Sequence, residues 1–174
     1  MASVGGGAPL NLVSLGFNRL LMQALELRIP PPIIALIVAA IMWWISLATT
    51  SIEIPSLIRV TTTIAIALAG VGTAISGVIT FRHARTTLNP LKPETTSAIV
   101  TSGVYRFTRN PMYVGLALVL LAWAVFMSSA WSLLGLVCFI LYMNRFQIMP
   151  EERALSGMFA ASYSAYQAKV RRWL

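Results

Sequence analysis

Four apolar runs, each bounded by proline or charge, recur along the chain and dictate its fold before any other feature is weighed. A helix needs about 20 mostly apolar residues to cross the hydrocarbon core of a bilayer. The first run extends from Pro32 to about Thr50 behind the stop formed by Pro30, Pro31 and Pro32, and carries Trp43 and Trp44. The loop Ser51 to Pro55 separates it from the second, about Ser56 to Phe81, with Arg59 one turn inside, where a long side chain reaches the interface. The third spans about Pro111 to Met127. Ser128, Ser129 and Ala130 leave room only for a tight turn before the fourth, Trp131 to about Met149, so the last two spans form an antiparallel hairpin.

Two further stretches are amphipathic. Arg19, Gln23 and Glu26 place a polar stripe at i, i+4, i+7 beside Phe17, Leu20, Leu21 and Ala24, which predicts an interfacial helix over residues 10–29, with a fifth span as the alternative. Residues 151–174 are too polar to span and belong at the membrane surface. The fold class is therefore all-α, a polytopic bundle of four transmembrane helices with amphipathic surface helices. It reads as one domain in three parts: a tail and interfacial helix (1–31), spans one and two (32–81), and a loop, spans three and four and the C-terminal helix (82–174). The opening MASVGGGAPL lacks the basic-then-apolar order of a cleavable signal. Gly5 to Gly7 read as a flexible terminus, since no strand precedes them and Pro9 follows.

Composition agrees with the pattern. Of 174 residues 57% are hydrophobic and 10% charged, and the mean hydropathy is +0.77. The net charge of +8 suggests nucleic acid only until its placement is seen, because the basic residues flank apolar segments and form no stripe. With one Cys, one His and no Asp, the chain has no disulfide framework, no Cys/His zinc cluster and no Ser-His-Asp triad, and no metal is expected. Arg82, Arg85, Lys92, Arg106 and Arg109 lie between spans two and three, and Arg153, Lys169, Arg171 and Arg172 follow span four. The opposite loops hold Glu53 and little else. Both termini and the 82–110 loop are thus expected on the cytoplasmic side, in a bacterial inner membrane.

That loop is longer than anchoring requires, and loops of more than about 12 to 15 residues are often functional. Its end is dense in chemistry: Tyr105, Arg106, Arg109, Asn110, Pro111, Tyr113 and Gly115 stand where the chain enters the bilayer. Asn110 suits a helix N-cap and Pro111 the first turn, which accounts for those two without any ligand. A second cluster, Asn144, Arg145, Gln147, Glu151 and Glu152, surrounds the end of span four, where Pro150 breaks or restarts the helix. Asn144, Gln147 and Glu151 share one face at i, i+3, i+7. An intramembrane arginine marks a site by default, with snorkelling of Arg145 as the alternative. Glu151 and Glu152 also suit the first turn of a helix. Gly70, Gly72, Ala74, Ser76 and Gly77 give small-residue spacing that favours a close helix contact over an acceptor tunnel. His83 reads as an interfacial side chain and Cys138 as a small apolar filler. Tyr163 and Tyr166 serve either to close a pocket or to anchor at the membrane.

TSGVYRFTRNPMYVG, a short hairpin, then EERAL, MFAASYSAY and VRRW together resemble the C-terminal half of the isoprenylcysteine carboxyl methyltransferase and phospholipid methyltransferase superfamily, and the preceding FRHARTTLNPLKPETTSAIV extends the likeness over roughly residues 81–173. The resemblance implies a membrane-embedded methyltransferase using S-adenosylmethionine, with a lipophilic or lipid acceptor. It carries cofactor binding to Tyr105, Arg109, Asn110, Pro111, Tyr113, Gly115, Glu151 and Glu152. Asn110 replaces the His of eukaryotic members and cannot titrate. On this reading Glu151 or Glu152 pairs with the cofactor ammonium, Arg109 forks onto its carboxylate, Tyr113 packs near adenine and Gly115 permits close approach. The catalytic assignments are Arg109, Arg145 and Glu152: Arg145 orients a carboxylate acceptor, or Glu152 takes the proton of an amine. Two rivals remain at this point: a membrane reductase of the sterol type, and a non-catalytic four-helix subunit. The helix-two glycines permit a dimer without requiring one.

Overall fold

The computed structural model describes residues 26–83 and 99–174. The expectations for the tail, for an interfacial helix or fifth span over most of residues 10–29, and for the loop 84–98 lie outside them. Within the described residues the fold is all-helical. Helices α1 (Pro31–Ala48), α2 (Ser56–His83) and α3 (Pro111–Met127) are followed by a fourth rod. That rod comprises α4 (Leu133–Tyr142), a π-helical turn (Met143–Ile148) and α5 (Met149–Lys169). Three helical runs are long and apolar enough to cross a membrane, Pro31–Ala48, Ser56–His83 and Ala130–Lys169, and Pro111–Met127 is an apolar helix of 17 residues, about 26 Å. The bundle of membrane helices expected from the pattern is thus present, with the bounds of the first three close to those read from the sequence, whereas the fourth rod continues past Met149 to Lys169.

Small residues set the tightest crossing. A Cβ on Gly70 would lie 2.8 Å from the Gly115 carbonyl oxygen, and one on Gly115 would lie 2.6 Å from that of Gly70, so α2 and α3 touch backbone to backbone. Gly77 meets Pro111 at the start of α3. Gly72, by contrast, faces open space. Helix α1 packs on the hairpin through Met42, Phe139 and Leu120, all buried, while the Trp123 indole donates to the Ala39 carbonyl at 3.1 Å. Outward positions stay apolar, Trp44 being 76% exposed, because lipid rather than water covers them. Cys138 is exposed on this apolar exterior, so it is not a packed filler. Between α3 and α4, Ser128 adopts a left-handed conformation (φ 52°) and its carbonyl accepts the Ile52 N–H at 2.7 Å, tying the first loop to the hairpin turn.

The helix neither breaks nor restarts at Pro150, as the sequence suggested it would; it runs through. A proline supplies no N–H and crowds the carbonyl four residues earlier, here Phe146. The π-turn immediately before it widens the helix, and the Phe146 carbonyl accepts the Leu27 N–H at 3.1 Å instead. The same N-terminal segment offers Glu26, which bridges Arg145 (2.9 Å) and Arg153 (2.5 Å). Helix α5 is kinked at Ala160 (φ 34°, ψ −109°). Beyond the kink Tyr163, Tyr166 and Val170 form a small buried cluster with Ile99, Leu155 and Phe159. Tyr163 and Tyr166 therefore point inward, and membrane anchoring does not describe them.

Candidate functional site

At the end of the bundle where α2 stops and α3 begins, a 3-10 turn (Gly103–Arg106) leads into Thr108, Arg109 and Asn110. Gly103 makes that turn with φ 59°, a left-handed conformation that glycine adopts without cost. Tyr105 is buried against Phe81, with ring centroids 5.2 Å apart, and its carbonyl accepts the Tyr166 hydroxyl at 2.7 Å. Its own hydroxyl is buried with no partner among the described residues. Burial holds this phenol far above its ordinary pKa, so it remains a donor.

The C-terminal residues fold back over this segment. The Arg109 N–H donates to the Arg171 carbonyl at 3.0 Å, and the Arg172 carbonyl accepts both the Asn110 amide at 2.9 Å and the Thr108 hydroxyl at 3.3 Å. The Trp173 indole donates to Asn144 Oδ1 in the π-turn at 3.0 Å. Asn110 does occupy the N-cap position of α3, as its residue type suggests, but its side chain makes no cap bond and is spent on the Arg172 carbonyl instead. Pro111 does open the helix, and is buried beneath Gly77.

Within this frame the two clusters meet. Arg109 Nη2 lies 2.8 Å from Glu152 Oε1, with the side chains only 11% and 12% exposed, and Arg172 Nη2 holds Glu152 Oε2 at 2.5 Å. Arg109 Nη1 donates to the Gln167 carbonyl at 3.2 Å, and its Nε is buried without an acceptor. The neighbouring carboxylate takes different partners: the Tyr113 hydroxyl at 2.5 Å and the Gln147 amide at 2.9 Å, both on Glu151 Oε1. The apolar part of the fourth rod ends before Pro150, so Glu151 stands outside the span. Burial nonetheless pushes its carboxyl up to about 7, against the pull of the Tyr113 and Gln147 hydrogen bonds.

Arg109, Tyr113, Glu151 and Glu152 are thus brought together, with Asn110 and Tyr105 joined through the C-terminal segment. Two of the residues singled out from the sequence go elsewhere. Gly115 serves the α2–α3 crossing, and the close approach it permits is to Gly70. Arg145 is held by Glu26 and lies against the Phe146 ring, 5.4 Å from its centroid, with no bond to the Arg109–Glu152 pair. Arg172 and Trp173 were missed. Both stand in the VRRW segment that contributes to the resemblance, but a basic residue near a chain end gives no sign of its acceptor.

Apolar helices of spanning length with a paired charge cluster at one end define a polytopic membrane protein with a candidate site at one face. The chain belongs to the phospholipid methyltransferase family, whose profile matches residues 58–162, from the first turn of α2 into α5, and it is accordingly a membrane methyltransferase. The match begins well before residue 81, so α2 is part of the likeness too. The chain is also similar to an uncharacterized protein of Haemophilus influenzae, 46% identical over 63 residues that cover 36% of this chain and the whole of that protein. No solved structure matches it significantly.

Proposed function

We propose that the chain transfers a methyl group from S-adenosylmethionine to a lipophilic acceptor in the membrane, either the carboxylate of an isoprenylcysteine-like compound or a lipid amine. The contact between Arg109 and Glu152 at 2.8 Å carries this reading, since it joins the two motifs on which the resemblance rests. The donor set suits the cofactor. It offers two buried hydrogen-bond donors without acceptors, Arg109 Nε and the Tyr105 hydroxyl, beside two carboxylates, Glu151 and Glu152. A ligand with one carboxylate, one ammonium and a heteroaromatic base satisfies both kinds. Arg109 and Tyr105 would take the acceptor atoms, a glutamate the ammonium, and Tyr113 the adenine face, with Asn110 and Pro111 shaping the entry. When bound, the cofactor supplies an electrophilic methyl group on sulfur.

The protein's own tasks are alignment and exclusion of water. The segment 171–173, bonded to Thr108, Arg109 and Asn110, covers the site on one side. For an amine acceptor the base is better assigned to Glu151 than to Glu152. Its carboxyl lies near 7, where proton transfer is efficient, whereas both oxygens of Glu152 are engaged by arginines. A carboxylate acceptor needs no base. Arg145 orients it only if Glu26 releases the guanidinium. With this end of the bundle facing the cytoplasm, as the arginine distribution indicates, the cofactor arrives from water and the acceptor from between helices.

Calorimetry on detergent-solubilised protein tests this. S-adenosylmethionine and its demethylated product bind wild type, Glu152→Gln and Arg109→Lys each weaken binding by tenfold or more, through loss of a charged hydrogen bond, and NADPH does not bind. Lipid extracts from cells with and without the protein then differ by one CH₂ per methyl group transferred. A folded sample that binds neither cofactor form overturns the proposal.

A further inference from the structure

A second polar feature lies at the other end of the bundle. A cavity of about 510 Å³ is lined by the α1–α2 loop from Ser51 to Pro55 together with Arg59 and Ser128. Along α2, Arg59 is 77 − 59 = 18 residues from Gly77, which meets Pro111 beside the methyltransferase cluster. At 1.5 Å per residue that is about 27 Å, close to the thickness of the hydrocarbon core. The cavity therefore belongs to the opposite membrane face and shares no ligand with Glu151 and Glu152.

Its chemistry is unsatisfied. Arg59 Nε is buried without a hydrogen-bond partner, and so is the hydroxyl of Thr63, one turn deeper on the same face of α2. Three other threonines of the helix are satisfied within it. Thr61, Thr73 and Thr80 each donate to the carbonyl four residues back, at 2.7, 2.7 and 2.8 Å, which is the ordinary resting place of a threonine hydroxyl in an apolar helix. Buried donors left unpaired are costly, and of these two Arg59 lines the cavity, where its guanidinium calls for an oxygen-rich anion. The cavity also contains Glu53, exposed, and Arg59 and Glu53 make no ion pair with each other although both line it. An anion alone would be repelled by Glu53. A ligand with a phosphate and a primary ammonium a few atoms apart meets both charges. Around it Leu57, Ile58 and Val60 are exposed apolar residues in the same turn as Arg59, a surface suited to acyl chains and not to water.

We propose that this cavity binds the headgroup of an aminophospholipid in the leaflet opposite the candidate active site, with the phosphate on Arg59 and the ammonium on Glu53. This lipid is a resident ligand and not the methyl acceptor, given the distance between the two sites. The assignment stands or falls separately from the methyltransferase chemistry.

Native mass spectrometry of the full-length protein, released from micelles holding equal amounts of phosphatidylethanolamine and phosphatidylglycerol, tests it. Wild type retains phosphatidylethanolamine in preference. Arg59→Gln lowers retention of both lipids about tenfold, the worth of one charged hydrogen bond, while Arg59→Lys keeps most of it. Glu53→Gln, at an exposed position where folding is not at stake, abolishes the preference and leaves phosphatidylglycerol binding intact or stronger. Equal retention of the two lipids by wild type, Arg59→Gln and Glu53→Gln overturns the proposal. So does displacement of the bound lipid by soluble phosphoethanolamine at equal concentration, which would assign the cavity to a small phosphate ester.

Discussion

Asn110 and Glu151 show how residue type and residue environment part company. Asparagine before proline at a helix start signals a cap, yet the Asn110 amide is spent on the Arg172 carbonyl 62 positions away, a partner no local pattern announces. The two adjacent glutamates look equivalent in sequence and are not. Glu152 faces two guanidiniums, whereas Glu151 faces a phenol and an amide. The Glu151 carboxyl is raised from 4.5 to about 7, so its protonated form is the one the fold prefers. The stability it contributes is complete below about pH 4.5 and is lost as pH rises through about 7. Thermal unfolding of ligand-free protein in detergent should therefore show a fall in midpoint between those values that Glu151→Gln removes. If the cofactor ammonium is met by the Glu151 carboxylate, its binding at pH 6 releases a proton, measurable as a dependence of calorimetric heat on the buffer.

Among elements, the α2–α3 crossing is the one most constrained by side-chain size. A valine at Gly115 would place a Cβ 2.6 Å from the Gly70 carbonyl and 2.7 Å from the Ala74 Cβ, and backbone cannot yield there as a flexible side chain would. Gly115→Val should cost about 2 kcal/mol or more of unfolding free energy. Gly72→Ala, with nothing within 4 Å, should be neutral or stabilise by up to about 1 kcal/mol through helix propensity. Equal effects of the two substitutions on denaturant midpoints would show that the crossing is not the source. The small-residue spacing was readable in the sequence; which of the glycines met the neighbouring helix was not, because that depends on the crossing angle. The fourth rod shows the converse. Its apolar length was evident, but the passage of helix through Pro150 required the π-turn and a donor from Leu27, more than a hundred residues earlier.

At the scale of the whole molecule, the candidate site is closed by residues 171–173, which follow α5. Arg171, Arg172 and Trp173 reach the segment before α3, the carboxylate of α5 and the π-turn at once. Deleting residues 171–174 removes the acceptors of Thr108, Arg109 N–H and Asn110 and one of the two cations on Glu152. Hydrogen exchange at residues 108–110 should rise at least tenfold in the truncated protein, while exchange within α1 and α3 stays unchanged. Protection at 108–110 that survives truncation would mean the segment is held by other contacts.

The membrane bundle was dictated by the sequence alone, because crossing hydrocarbon requires unbroken apolar length and local hydrogen bonding, and both are properties of consecutive residues. So was the gathering of Arg109, Tyr113, Glu151 and Glu152 into two motifs. Tertiary structure alone decided their partners. Placing Arg109 on Glu152, Arg145 on Glu26 and Arg172 across both termini of the site depends on which helix ends share a membrane face, and a charge carries no local record of the opposite charge it will meet.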